Sequence, residues 1–231
     1  PQGGGKGFDV SPANKGYLLL EAEGDANPMN LVAPEDQATV VLWQKNNSNI
    51  NSSSFWAVAA SQGRGWQFHV PWSDGTIYFD TSGCCGADTR LNDNPKNAFD
   101  PDFDFNVWHH YAFVKDGARK VIYIDGKQLK EGEGYSPLPT DFTQLYIGSA
   151  SDKNAPDGVI DDFGIYKGVL TENEIKALAA GVSPVTPPVD TDKDGMPDDW
   201  ETQFGFNKDS AADSALDFDK DGVSNLDEYK A

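Results

Sequence analysis

The chain has 231 residues, 37 acidic against 18 basic, for a formal net charge of −19. Nucleic acids and anionic membrane surfaces are recognised through clustered Lys and Arg, so this charge argues against both as partners and suits a soluble protein that binds cations. No run of about 18 apolar residues occurs, so nothing spans a bilayer as a helix; aromatics at 12% and 23 glycines fit many short strands joined by turns.

In chain order, residues 1–15 are Gly-rich and polar and read as a lead-in arm. No signal peptide is visible in a chain that begins at Pro1, and export is expected on other grounds. Strands are predicted over 16–23, 37–45, 55–61, 65–71 and 76–81 from their β-branched and aromatic content. Residues 82–106 read as one long loop, of the kind that is functional or metal-supported in a compact domain. It contains the only two cysteines, Cys84 and Cys85, inside Gly-Cys-Cys-Gly. Adjacent Cα atoms lie about 3.8 Å apart, below the usual disulfide span. The pair is therefore either two free thiols or a vicinal disulfide given backbone freedom by Gly83 and Gly86. In an oxidising compartment the disulfide is favoured, and its apolar ring would help to form a ligand platform.

The middle of the chain, WHHYAFVKDGARKVIYIDGKQL over 108–129, predicts strands 108–115 and 119–125 about Asp116-Gly117. A second turn at Asp125-Gly126 leads into a short run, 127–130. Alternation places Trp108, His110, Ala112 and Val114 on one face and His109, Tyr111 and Phe113 on the other. Apolar groups on both faces predict an inner strand. Strands 142–149 and 157–167 follow, then a helix over 171–180 with a Thr171/Glu174 capping box, an Ile175/Leu178 stripe and a Gly181 stop. About ten strands and one late helix predict an all-β fold, a two-sheet antiparallel jelly-roll sandwich with one short helix.

These phrases, with "VLWQK" and "LYIGSASDKNAPDGVIDDFGIYKGVLTENEIKALAAG", resemble the laminin-G-like branch of the concanavalin A-like lectin/glucanase superfamily over residues 16–181. "HVPWSDGTIYFD" followed by "GCCG" is similar to a bacterial subgroup with paired cysteines. The resemblance implies the jelly roll. It also implies a structural calcium between the N-terminal strand region and the strand over 157–167, with Glu23, Asp25, Asp161 and Asp162 as its ligands; a turn-closing role for the two later aspartates is the alternative.

Residues 182–189 are Pro-rich and predict a semi-rigid linker. Residues 190–231 then hold a twelve-position EF-hand-type loop: Asp190, Asp192, Asp194, Gly195, Asp198 and Glu201, with the Met196 carbonyl at position 7. The pattern recurs 27 residues further on with Asp217, Asp219, Asp221, Gly222, Asn225 and Glu228, and the Val223 carbonyl at position 7. Alternate residues of a tight loop aim oxygens inward, and the last Glu offers two. Residues 187–231 carry 13 acids and 4 lysines, so calcium is the expected cofactor and folding is expected to depend on it. The phrases "DxDxDGMPDDWE…FG" and "DFDKDGVSNLDEY" resemble bacterial thrombospondin type 3 repeats, which are extracellular calcium-stiffened spacers. Dockerins, which bind a cohesin partner, come second.

Catalysis is not expected. Superfamily members that cleave β-glucans carry Glu-x-Asp-x-Glu along one strand, whereas Glu21-Ala-Glu23-Gly-Asp25 has another order, and His69, His109 and His110 have no acid at a diagnostic spacing. For sugar binding, which needs aromatic faces beside Asp, Asn and Arg, the expected surface is Trp72, Asp74, Asp88, Arg90 and Asn92 around the cysteine pair. Trp66, Phe68 and Val70 are expected as a buried face. The function expected is a non-catalytic, secreted or cell-surface, calcium-binding module that recognises glycan. The alternatives are an adhesive or self-associating subunit of an extracellular assembly, and an accessory module of a larger polysaccharide-degrading enzyme.

Overall fold

A period-two alternation of core-facing and outward side chains organises the first half of the structure. The computed structural model describes residues 7–11, 16–149, 154–182 and 190–230; most of the expected linker, 183–189, lies outside them. The chain divides into two compact units, Pro1–Val182 and Ser183–Ala231.

The first unit contains β1 (Phe8–Asp9), β2 (Leu18–Glu21), α1 (Pro28–Val32), β3 (Gln37–Ser48), β4 (Phe55–Ala59), β5 (Trp66–His69), β6 (Ile77–Thr81), β7 (Arg90–Asp93), α2 (Pro95–Ala98), β8 (His109–Asp116), β9 (Arg119–Ile124), β10 (Lys127–Gly132), β11 (Phe142–Ile147), β12 (Asp157–Lys167) and α3 (Glu172–Ala179). The strands form two antiparallel six-stranded sheets. Sheet one runs β1-β12-β3-β8-β9-β10 and sheet two runs β2-β11-β4-β5-β6-β7. This is the two-sheet all-β sandwich.

The central hairpin forms as the Asp-Gly signal predicts, with Asp116 opposite Arg119 and Gly117 at a φ of 57° that suits glycine. Tyr111 and Phe113 of β8 enter the main core. Ala112 and Val114 point the other way, into a second cluster with Val41, Val121, Tyr123 and Ile175 of α3. The helix thus explains why an inner strand is apolar on both faces. Its start is the capping box: the Thr171 hydroxyl accepts from Glu174 N, and Glu174 accepts from Thr171 N.

Several expectations need correction. The arm is not only a lead-in, because Phe8 and Asp9 pair with Ile160 and Val159. The region expected as one loop over 82–106 contains β7 and α2. α3 is not the sole helix of the unit: α1 buries Met29 and Val32 and is capped by Asn27, whose side chain accepts from Met29 N. Four- and five-residue elements are shorter than the period needed to reveal them in a sequence.

Between the sheets, Phe68 of sheet two stacks on Phe113 of sheet one, with centroids 3.9 Å apart and rings 7° from parallel. Phe79 meets Phe113 edge-on at 5.4 Å, and Phe55 stacks on Phe68 at 5.1 Å. Each buried phenylalanine contributes about 1.5–3 kcal/mol of transfer free energy.

The margin of the core holds a buried charge. Lys115 is fully buried, and its ammonium donates to both oxygens of Asp36 at 2.8 and 2.9 Å and to the Gly117 carbonyl. Asp36 also accepts from Leu138 N at 2.9 Å. Removing one partner of a buried pair leaves an uncompensated charge and costs about 3–5 kcal/mol. Asp36→Asn retains a residue that tolerates the left-handed φ of 52°, so its effect isolates the charge. It is expected to lower unfolding free energy by about 3 kcal/mol in urea denaturation; a loss well under about 1 kcal/mol would show that Lys115 does not depend on it.

Candidate functional site

The outer face of sheet two carries the polar residues that alternate with the core. On β5, Trp66 and Phe68 are completely buried in the core, so Gln67 and His69 lie on the opposite face. Strand register extends this face sideways: Gln67 lies opposite Trp56 and Asp80, Asp80 opposite Arg90, and His69 opposite Tyr78. Around them opens a depression of about 490 Å³, completed by Arg64, Trp72, Cys84, Cys85 and Asn154.

The charged floor is a carboxylate between two guanidiniums. Asp80 is fully buried and accepts from Arg90 Nε at 2.6 Å and Nη2 at 2.5 Å, while Arg64 Nη1 stands 3.6 Å away. This two-pronged bond raises the Arg90 pKa. Burial lowers that of Arg64, against the opposing pull of Asp80 and with a smaller contribution from Arg90. The Arg90 guanidinium also lies 4.5 Å over the Tyr78 ring and reaches Cys84 Sγ at 3.5 Å. The cysteines are joined as a vicinal disulfide, a covalent ring beside Arg90.

Around the floor stand aromatic groups. Trp72 meets His69 edge-on at 4.7 Å, and Trp56 stacks on Tyr146 at 5.6 Å. His69 Nδ1 lies 2.5 Å from the Ser52 carbonyl, an acceptor only, so Nδ1 carries the proton and donates. Two buried polar atoms of the lining, Gln67 Oε1 and Trp56 Nε1, have no hydrogen-bond partner. Among the described residues, the lining consists of Arg, Gln, Asn, His, cysteine and aromatic groups, and the Asp80 carboxylate beneath it is engaged by Arg90.

Of the residues expected here, Trp72, Arg90 and the cysteine pair come together. Asp74 instead accepts from the Tyr78 hydroxyl and Thr76 N. Asp88 accepts from the Ser136 hydroxyl at 3.1 Å, and Asn92 is exposed on β7 opposite Tyr78. Trp56, Arg64, Gln67 and Asn154 were outside the expected set. They arrive from β4, β5 and separate loops, and only the pairing of strands places them together.

The second unit contains α4 (Asp198–Phe204) and α5 (Asn225–Lys230). Trp200 packs on Phe204, Phe206 and Tyr229 with centroids 4.7–5.4 Å apart, and Met196 is fully buried. Gly195 and Gly222, at position 6 of each loop, have φ of 95° and 99°, a bend that glycine alone makes freely. Ligand-type oxygens of Asp192, Asp194, Glu201 and Asp213 lie within 4.8 Å of one another. Glu201 is fully buried, and both its oxygens lack a hydrogen-bond partner. Burial first, then the field of Asp192, Asp194, Asp213 and Asp198, pushes its pKa up to about 7.

This grouping differs from the twelve-position set. Asp190 is used inside the loop, accepting from Lys193 N and Gly195 N, and Asp198 accepts from Thr191 N and its hydroxyl. Asp213, from beyond the loop, takes part instead: one oxygen accepts from Asn207 N and the other has no partner. In the second loop, Asp217, Asp219 and Asp221 come together. Glu228 lies in their field, its pKa raised by burial and then by those three aspartates. Asn225 is turned to the backbone, accepting from Phe218 N and donating to the Asp213 carbonyl.

The set implied for the sandwich does not assemble. Glu23 and Asp25 border a separate depression with Asn30 and Asp141. Asp161 accepts from Asp162 N at a bulge of β12, where Asp162 has a φ of 46°. Among the described residues, no metal-type grouping includes any of the four; β2 and β12 belong to different sheets.

The histidines give the sandwich a pH dependence of predictable sign. Burial lowers the His69 pKa from 6.5 to about 4, and burial does the same to His110, packed against Trp43. The unfolded chain then binds the proton first, so stability is full above pH 6.5 and falls as pH drops towards 4. His69→Asn is expected to lose less stability than the parent across that window, read as urea midpoints by near-ultraviolet circular dichroism. Identical pH slopes would overturn the assignment.

A laminin-G family model, described as the concanavalin A-like lectin/glucanases superfamily, matches residues 16–176. Several solved structures share the fold. The ligand-binding domain of botulinum neurotoxin serotype D, in complex with N-acetylneuraminic acid, superposes with a TM-score of 0.53 at 15% identity, over 71% of this chain and 40% of that one. The binding domain of botulinum neurotoxin DC, in complex with rat synaptotagmin II, gives 0.52 at 15%, over 71% and 40%. Domain 4 of AbnA, a GH43 extracellular arabinanase from Geobacillus stearothermophilus, in complex with arabinotriose, gives 0.49 at 21%, over 65% and 69%. The chain thus spans about two-fifths of the toxin chains it resembles. No curated protein sequence matches it. Among the described residues, no helix is long and apolar enough to cross a membrane. With the family match covering most of its length, the chain belongs to the concanavalin A-like lectin/glucanases superfamily.

Proposed function

We propose that the sandwich is a non-catalytic glycan-binding module and that residues 190–230 form a calcium-binding spacer of thrombospondin type 3 character in a secreted or cell-surface protein. The observation that carries the first part is the depression on sheet two, where aromatic faces, a disulfide ring and hydrogen-bonding groups converge. Sugars present apolar C–H faces and hydroxyl edges, so aromatic walls with fixed amide, indole and guanidinium groups are the complement they need. Gln67, Asn154 and Arg64 add amide and guanidinium groups to the lining. The toxin ligand-binding domain that shares this fold over 40% of its own chain was solved in complex with N-acetylneuraminic acid.

The calcium part rests on Glu201. A fully buried side chain with two unpartnered oxygens lies among three aspartates, and no described residue hydrogen-bonds to it. Two unit charges 4 Å apart repel by about 4 kcal/mol at an effective dielectric of 20, so a hard, oxygen-seeking cation is what the donor set fits. Asp192, Asp194, Glu201 and Asp213 would hold one ion, and Asp217, Asp219, Asp221 and Glu228 another. The ion would cancel the charge and fold the segment around it.

A structural role in an extracellular assembly is the second reading. Leu18, Leu19 and Leu20 of β2, the edge strand of sheet two, are 38–51% exposed, and an exposed apolar edge is a surface for pairing with another chain. Two measurements test these readings. A glycan array is expected to show saturable binding that Trp72→Ala reduces about tenfold or more; a blank array together with self-association abolished by Leu19→Lys would favour the structural role. Calorimetry at neutral pH is expected to find two calcium ions per chain, with Glu201→Gln and Glu228→Gln each removing one. Fewer than two ions in the parent protein would overturn the calcium reading.

A further inference from the structure

The charges that meet the depression do not balance. Asp80 has both oxygens engaged by Arg90, at 2.6 and 2.5 Å, and these two form a neutral pair. Arg64 adds a second guanidinium whose one ionic contact among the described residues is the 3.6 Å approach to Asp80, without a hydrogen bond. Its side chain is 33% exposed and lines the opening. Its own backbone is tied to the disulfide loop, since its carbonyl accepts from Gly83 N at 2.8 Å. The result is a positioned, unsaturated cation in a chain of net charge −19. Distant charges are screened beyond about 8 Å at physiological ionic strength, so a ligand group inside the depression feels the local surplus.

We propose that the depression selects a sugar bearing a carboxylate, and that Arg64 is the residue that pairs with it. The inference rests on the glycan reading of the site. A guanidinium is a planar fork that matches a carboxylate through two parallel hydrogen bonds, a geometry that neutral hydroxyls do not reproduce. Arg90 is already neutralised, with its Nε and Nη2 bonded to Asp80 and Nη2 also reaching Cys84 Sγ. Trp72 and the Cys84–Cys85 ring stand beside the opening to pack on the apolar face of the same sugar. Because the protein as a whole is strongly acidic, an isolated or terminal acidic residue suits the site better than an extended polyanion.

The test uses the full chain on an array carrying uronate-terminated and sialate-terminated glycans beside their neutral counterparts, followed by calorimetry with the best acidic glycan and its methyl ester. The ester keeps the sugar and removes the charge. Binding of the acid is expected to exceed that of the ester about tenfold or more, as for a charge-assisted bond, and to weaken as salt is raised. Hits confined to uronates or to sialates both support the proposal and tell the two sources apart. Arg64→Gln is expected to abolish the preference. Arg64→Lys, which keeps the charge without the fork, is expected to retain part of it, and thermal unfolding of both variants checks that the sandwich is intact. Equal affinity for acid and ester, or an unchanged preference in Arg64→Gln, overturns the proposal while leaving sugar binding in place. An array blank for acidic and neutral glycans alike overturns both.

Discussion

The stacking of Phe68 on Phe113 is the contact on which the site depends. It joins the two sheets at their centre and holds β5 with Trp66 and Phe68 inward. Because a strand turns alternate residues to opposite faces, that packing commits Gln67 and His69 to the outer surface. Register then brings Trp56, Tyr78, Asp80 and Arg90 alongside them. The proposed recognition surface is thus the reverse side of the core. Rigidity is built in from the start, since the residues that present the site cannot shift without disturbing close-packed aromatics.

The protein has few cations, and the sandwich places several of them inside. Arg90 neutralises Asp80, Lys115 answers Asp36, and Lys120 is bonded to the Phe79 and Thr89 carbonyls between the rings of Phe79 and Tyr135. Burial holds the Lys120 pKa down to about 7, the cost of placing an ammonium among carbonyls and rings instead of beside a carboxylate. The second unit follows the opposite rule. Its buried Glu201 lies among other carboxylates, and neither of its oxygens has a hydrogen-bond partner. The same physical demand, that buried charge be compensated, is met in the first unit by the chain, and in the second it is the ground for the proposed ion.

How much of this could be read beforehand depended on the range of the signal. The Asp116-Gly117 turn and the Thr171/Glu174 cap are local chemistry, and both appear where the residues predict them. β7, α1 and α2 span four or five residues and carry no repeat from which to infer them. On the site, Trp72, Arg90 and the cysteine pair were visible because they lie close together in a segment rich in polar and aromatic groups. Arg64 and Gln67 looked like ordinary loop and strand residues; nothing near them in the chain reveals that Asp80 and Trp56 are their neighbours. Asp213 was missed for a related reason: the twelve-position pattern ends at Glu201, whereas the chain returns to the first loop afterwards.

Composition, turn residues and alternation therefore determined the class of fold, the inner hairpin, its helical cover and the two acidic loops, because each rests on interactions within a few residues. Tertiary structure decided which carboxylates share a space, that Trp56 and Gln67 join the surface depression, and which arginine is left without a hydrogen-bonded carboxylate. Those outcomes depend on strand register and on the return of the chain to distant segments. A one-residue change in register would turn every side chain of a strand to the other face, and no property of the residues taken singly contains that information.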